Sequence, residues 1–283
     1  MAIRIVTDST ADLPAEVAEQ LGITVVPLNV HFGEETFLDG VDILHDEFFE
    51  RLRSARQLPT TSQPSPGKFM EVYGSLAEAG DQIVSIHISD KLSGTLNSAR
   101  QAKEQMEGSS IEIIDARQAA LGTGLVAMAA AKAVQQGASY EAVLKEANSA
   151  VEQVQLFGLL DTLEYLRKGG RIGMVRGFIG TLLKVRPIIT VLDGVVQSAT
   201  SVRSRAYGTQ YMVTLAEERA PLKQAAVMHS STDEEAEALA ERLRPLVADG
   251  QVLQGRIGPV VGTHAGPGVI GIVIQSENTP ESP

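Results

Sequence analysis

Hydroxyl side chains gather in three short runs of this sequence. The densest, Thr60-Thr61-Ser62-Gln63-Pro64-Ser65-Pro66, carries four hydroxyls and one amide in seven residues, with Pro59 directly before it. Its prolines fix φ and remove backbone donors, so the run is expected to be neither strand nor helix interior. Ser65-Pro66 has the form of an N-cap followed by proline at the first helical position. Phe69, Met70, Tyr73 and Leu76 then recur at helical spacing. A stiff polar loop feeding a helix can offer hydroxyl and amide donors to an anion; a capped surface turn would have the same sequence. The second run is Asp8-Ser9-Thr10, at the carboxyl end of an apolar stretch, where ligands of open parallel sheets lie and where helix capping is the alternative. The third is Ser93-Gly94-Thr95, also between a strand and a helix, with a glycine that permits close approach to the backbone. It is not a P-loop, because the spacing differs and no lysine follows.

Ionisable candidates are few. His31 and His87 sit in apolar strand patterns, His45 at a helix start and His229 in Ala-Val-Met-His-Ser-Ser, all read as structural. His264 lies in Gly262-Thr263-His264-Ala265-Gly266-Pro267-Gly268, a shaped turn with an ionisable tip. General base, cationic anchor for an anion, and ordinary loop histidine all remain open for it. Arg171, Arg203 and Arg205 stand in or beside tight turns. The chain has no cysteine, no zinc spacing, no Walker sequence, no dinucleotide fingerprint and no Gly-x-Ser-x-Gly elbow. Hydroxyl turns, one histidine turn and a few arginines suit holding a small anion better than making or breaking bonds.

The elements that must position these residues alternate strand and helix up to residue 153. Strands are expected at 3–6, 23–32, 82–89 and 111–114. Helices are expected at 11–20, 44–56, 66–79, 95–106, 119–136 and 139–153. The Ala-rich stretch 119–136 is apolar on most sides and reads as buried. Past 153 the pattern changes: strands at 156–160, 224–230, 251–257 and 269–274, and a hairpin over 188–202 turning at Asp193-Gly194. Residues 1–153 are therefore expected to form an N-terminal α/β domain and 154–276 a C-terminal one. The polar tail 277–283 is expected to be disordered.

The 283 residues carry a formal net charge of -11 and no long Lys/Arg block, which argues against a nucleic-acid partner. No signal-peptide pattern and no ~18-residue apolar run appears, and a cytoplasmic location is expected. No heptad or exposed-edge device is visible, so a monomer is expected.

Six motifs occur together and in order. They are Ile5-Val6-Thr7-Asp8-Ser9-Thr10-Ala11-Asp12-Leu13-Pro14, Thr60-Thr61-Ser62-Gln63-Pro64, Leu92-Ser93-Gly94-Thr95, Leu163-Glu164-Tyr165-Leu166-Arg167-Lys168-Gly169-Gly170-Arg171-Ile172, Val202-Arg203-Ser204-Arg205 and His264-Ala265-Gly266-Pro267-Gly268. Together they closely resemble the bacterial DegV family from residue 3 to about 275. The resemblance implies a two-domain α/β fold: an N-terminal Rossmann-like parallel sheet with helices, and a C-terminal α/β domain with a mixed or antiparallel sheet. It also implies a long-chain fatty acid as ligand, no cofactor and no metal. Family members serve as the lipid-carrying subunit of fatty acid kinase. They present the acyl carboxylate to a separate catalytic subunit for acyl phosphate formation in phospholipid synthesis, and transient contact with a membrane surface fits that role. Carried over, Thr61, Ser62, Ser93 and His264 would hold the carboxylate, with Arg171, Gly94 and Thr95 as further contacts. Arg203, with His264, would assist phosphotransfer. A protonated His264 would add charge assistance, and Phe178, Ile179, Leu182 and Leu183 are candidates for the tunnel wall. Two rival functions stay open: an esterase-like Ser/His hydrolase using Ser93 or Ser62, and a carrier of another small anion.

Overall fold

The computed structural model describes residues 2–77, 80–178, 185–230 and 233–277. The first half runs β1 (Ile3–Asp8), α1 (Ala15–Leu21), β2 (Ile23–Val26), β3 (Asn29–Phe32), β4 (Glu35–Leu38), α2 (His45–Ser54), β5 (Thr60–Ser62), α3 (Pro66–Ala77), β6 (Gln82–His87), α4 (Thr95–Glu104), β7 (Ile111–Asp115), α5 (Leu121–Gln135) and α6 (Tyr140–Gln153). The second half runs β8 (Val154–Leu159), α7 (Glu164–Lys168), β9 (Arg186–Leu192), β10 (Val195–Val202), α8 (Arg205–Glu217), β11 (Leu222–His229), α9 (Asp233–Leu243), β12 (Val252–Arg256), α10 (Pro259–Ala265) and β13 (Ile270–Ser276).

Three sheets result. A parallel sheet has the order β2-β1-β6-β7, a mixed sheet the order β10-β9-β8-β13-β11-β12, and a small antiparallel sheet the order β4-β3-β5. In the parallel sheet the chain leaves β1 toward β2 on one side and continues from β6 to β7 on the other. The switch point therefore lies between β1 and β6, and ligands of such sheets lie off the carboxyl ends of the strands there. Those ends carry Asp8-Ser9-Thr10 and the turn leading to Ser93-Gly94-Thr95.

Three expectations need correction. Residues 23–32 are two strands, not one: β2 belongs to the parallel sheet and β3 to the small one. Pro27 sits between them, and a residue without N–H cannot continue a ladder. The stretch 60–62 is a strand after all, because its prolines flank it rather than interrupt it, and β5 pairs with β3. The helix expected over 11–20 begins only at Ala15, because Asp12 takes a left-handed φ of 50° and Pro14 an extended backbone. Ser65 caps α3 through its Oγ on the Lys68 N–H, at 3.2 Å. The Asp193-Gly194 hairpin has φ of 50° and 76° at its two turn residues, the left-handed pair a two-residue turn requires.

Helix α5 is buried on nearly every side and contacts β1 and β6 of the parallel sheet as well as β8, β11 and β13 of the mixed one. One apolar cluster accordingly runs through both halves, from Ile5 and Leu28 to Leu156 and Val260. We propose 153/154 as the boundary between two lobes, since the parallel and small sheets use strands before it and the mixed sheet strands after it. The tail beyond Glu277 lies outside the described residues. Among those described, no helix is long and apolar enough to cross a membrane.

Candidate functional site

Between the switch point and the mixed sheet lies a cavity of about 110 Å³. Leu28 comes from the N-terminal half, Leu156 from β8, Ile189 and Val191 from β9, Met228 from β11 and Val260 from α10. Gly158 on β8 also lines it, and the missing side chain leaves room there. The wall is apolar apart from Thr10 and a polar group made by Thr61, Ser62, Gln63, Ser93, Arg171 and His264.

His264 stands on the last turn of α10, a seven-residue helix, rather than in a loop. Gly258 at its N-cap and Pro259 in its first turn start the helix, a signal hidden by the glycines that follow. Two carboxylates from the other half hold this start: Asp12 Oδ1 accepts from the Gly258 N–H at 3.0 Å, and Asp39 bonds the Val260 backbone. At the other end of α10, His264 Nε2 lies 2.9 Å from Thr61 Oγ1. Its Nδ1 is buried without a partner among the described residues. A buried acceptor left unfilled is more tolerable than an orphaned N–H. That assigns the proton to Nε2, which donates to Thr61 and leaves the threonine O–H free for a ligand. Burial first, and then the neighbouring Arg171 charge, push the imidazole down to about 4. His264 is thus neutral at pH 7 in this arrangement.

Positive charge comes from Arg171 instead. Its Nε donates to the Leu92 carbonyl at 3.1 Å and its Nη1 to the Gly169 carbonyl at 2.8 Å, so loops from both halves hold it. No carboxylate pairs with it among the described residues, and its remaining N–H groups stay available. Ser93 Oγ and Thr95 Oγ1 are 2.8 Å apart. Ser93 lines the cavity, whereas Thr95 and Gly94 stand behind it.

Strand pairing separates Thr61 from Ser62. Successive side chains of β5 point to opposite faces. The Ser62 hydroxyl faces Asn29 Nδ2 at 3.2 Å and His31 Nε2 at 3.0 Å, away from His264. Arg203 is exposed just ahead of α8 and does not line the cavity. The side chain of Phe178, and Ile179, Leu182 and Leu183 altogether, lie outside the described residues. Sequence reasoning passed over Gln63 and Asp12 as individual residues although each sat inside a singled-out motif, and it passed over Asp39, which has no local signal.

A separate chain of hydrogen bonds, Asp8–His87–Ser85–Tyr73, has the residue types of a nucleophilic triad. All four side chains are fully buried under the parallel sheet, so it ties β1, β6 and α3 together and meets no substrate.

The Asp39 carboxyl is pushed up to about 6 by burial, against the lowering effects of Ser9 and the Val260 N–H. A carboxyl with a raised folded pKa contributes stability below its unfolded pKa and loses it as pH rises through the folded value. Asp39→Asn, neutral at every pH, should therefore gain on the wild type between pH 4.5 and 7.5, by on the order of 2 kcal/mol. Denaturant unfolding of both proteins at the two pH values measures this; a pH-independent difference would refute it.

A family model described as "Uncharacterised protein, DegV family" matches residues 2–277. The chain is 35% identical over 277 residues to Protein DegV of Bacillus subtilis, covering 96% of this chain and 98% of that one. It is 36% identical over 281 residues to a DegV domain-containing protein of Streptomyces coelicolor, covering 97% and 98%. Among solved structures, a DegV family protein from Thermus thermophilus described for fatty acid binding superposes with a TM-score of 0.91 at 34% identity, covering 98% of this chain and all of that one. DegV of Bacillus subtilis, described as a fatty acid binding protein, does so at 0.88 and 34%, with coverage of 98% and 100%. A stearic acid-binding protein from Eubacterium ventriosum does so at 0.88 and 30%, with coverage of 97% and 98%.

Proposed function

The chain belongs to the DegV family, and on that premise we propose that it binds a long-chain fatty acid and presents the carboxylate to a separate kinase subunit. The observation that carries this reading is a deep apolar cavity whose one permanent charge, Arg171, has no carboxylate partner among the described residues. An acyl tail gains about 0.8 kcal/mol for each methylene it buries in such a wall. A desolvated carboxylate is costly unless its oxygens are bonded, and the polar end offers the Thr61 and Ser93 hydroxyls beside the Arg171 fork. In this reading His264 positions Thr61, and its imidazole gains a proton more readily once a carboxylate arrives. Ser62 contributes through its backbone, since its hydroxyl is engaged elsewhere. Arg203, exposed and outside the cavity wall, assists phosphotransfer only from a surface a partner can reach.

The esterase reading finds no chemistry at this site. His264 Nε2 is on Thr61, its Nδ1 has no acid to orient it among the described residues, and Ser93 is bonded to Thr95.

Native mass spectrometry of the purified protein, followed by organic extraction, tests the proposal. One fatty acid per chain is the expected result and reports chain length and unsaturation directly. A protein that is empty, and stays empty after incubation with saturated and unsaturated acids, would overturn it.

A further inference from the structure

Gln63 is the polar-end residue whose side chain has no hydrogen bond among the described residues. It follows β5, is exposed, and lies against Gly94: a Cβ there would stand 2.9 Å from Gln63 Nε2 and 3.1 Å from its Cδ. The glycine leaves the amide room to rotate. Pro64 on one side and the β5 ladder on the other hold the backbone, so the side chain is the part free to move.

Position gives that freedom a consequence. Gln63 lines the apolar cavity beside Thr61 and Ser93, and it also lines an outer cavity of about 470 Å³ bordered by Asn29, Ser65, Lys68 and Ser98. Among the described residues it is the one common to both walls. An amide at such a boundary can donate an N–H inward to an anion while its carbonyl faces water. Rotating it outward breaks no bond within the protein.

We infer that Gln63 is the gate of the polar end: its amide donates an N–H to the bound carboxylate, and it swings aside when an acyl chain enters from the outer cavity or the carboxylate is reached from it. This inference rests on the fatty-acid reading above. The neighbouring Lys68 does not compete for the carboxylate, because its ammonium is 2.9 Å from Glu71. Glutamate at position 63 would keep the shape and reverse the polarity, placing one carboxylate against another.

The test uses the full chain with oleate and its uncharged counterpart oleyl alcohol, measured by displacement of a fluorescent fatty acid. Gln63→Leu should weaken oleate binding about tenfold, the loss expected for one hydrogen bond to a charged group, with a much smaller change for the alcohol. Gln63→Glu should weaken oleate further at pH 8 and recover toward pH 5 as the new carboxyl protonates, again with little change for the alcohol. Gln63→Ala should raise the association rate of the fluorescent acid in stopped flow. Wild-type oleate affinity in the first two variants, or equal losses for acid and alcohol, would overturn the role as donor. An unchanged association rate in Gln63→Ala would overturn the role as gate. A wild-type protein that binds no fatty acid at all would instead overturn the reading on which the inference rests.

Discussion

Gly158→Leu should leave the protein folded and remove its affinity for long acyl chains. Gly158 lies on β8 opposite Ile189 and lines the cavity. A Cβ at this position meets its nearest neighbours, Ile189 Cγ1 and Leu160 Cδ1, at 3.6 Å, which is ordinary contact, so the backbone need not move. The rest of a leucine side chain would occupy the cavity itself. Its carbons exclude about as many methylenes of the ligand, at about 0.8 kcal/mol each, or roughly 3 kcal/mol in all. That corresponds to about two orders of magnitude in affinity. Shorter acids that end before β8 should lose much less. The measurement is affinity against chain length for wild type, Gly158→Ala and Gly158→Leu, with thermal unfolding as the control on folding. If the leucine variant keeps the wild-type chain-length profile, the acyl tail does not run past β8.

The second large effect is expected at Gly169, which touches no ligand. Its backbone is right-handed, with φ of -76°, so any residue could adopt it. What forbids a side chain is His264: a Cβ on Gly169 would stand 2.2 Å from Nδ1 and 3.0 Å from Cε1. In Gly169→Ala the imidazole has to leave, and its 2.9 Å bond to Thr61 goes with it. Loss of an oriented donor to a carboxylate is worth about 1.5–3 kcal/mol, so fatty-acid affinity should fall about ten- to a hundredfold. Its neighbour supplies the contrast. Gly170 has φ of +73° and, among the described residues, nothing within 4 Å of a Cβ. Gly170→Ala should therefore cost about 1–2 kcal/mol of stability and leave binding largely intact. Reversed results for the two variants, or wild-type affinity in Gly169→Ala, would mean that His264 does not organise the polar end.

Much of the scaffold was legible because it is local. Alternating apolar runs, the Ser65-Pro66 cap and the Asp193-Gly194 turn each depend on neighbours a few residues apart. The errors fell where pairing partners are distant. Thr60–Ser62 reads as loop until β3 arrives to pair with it, and the turn around His264 reads as loop until Asp12 and Asp39 cap it from the other half of the chain. The six motifs contain most of the polar residues that line the cavity, yet they do not say which atoms face inward. Strand alternation turns the Ser62 hydroxyl away from Thr61, and burial beside Arg171 keeps His264 neutral.

By itself, the sequence determined the fold class, the order of the elements and the set of polar residues at strand ends, because periodicity, caps and turns are written in neighbouring side chains. Only the tertiary structure decided which apolar residues surround a void and which merely fill a core. Leu28, Leu156 and Val260 are ordinary hydrophobes in the chain and become one wall when two sheets close around α5. A cavity is a relation among distant residues, and no single stretch of sequence contains it.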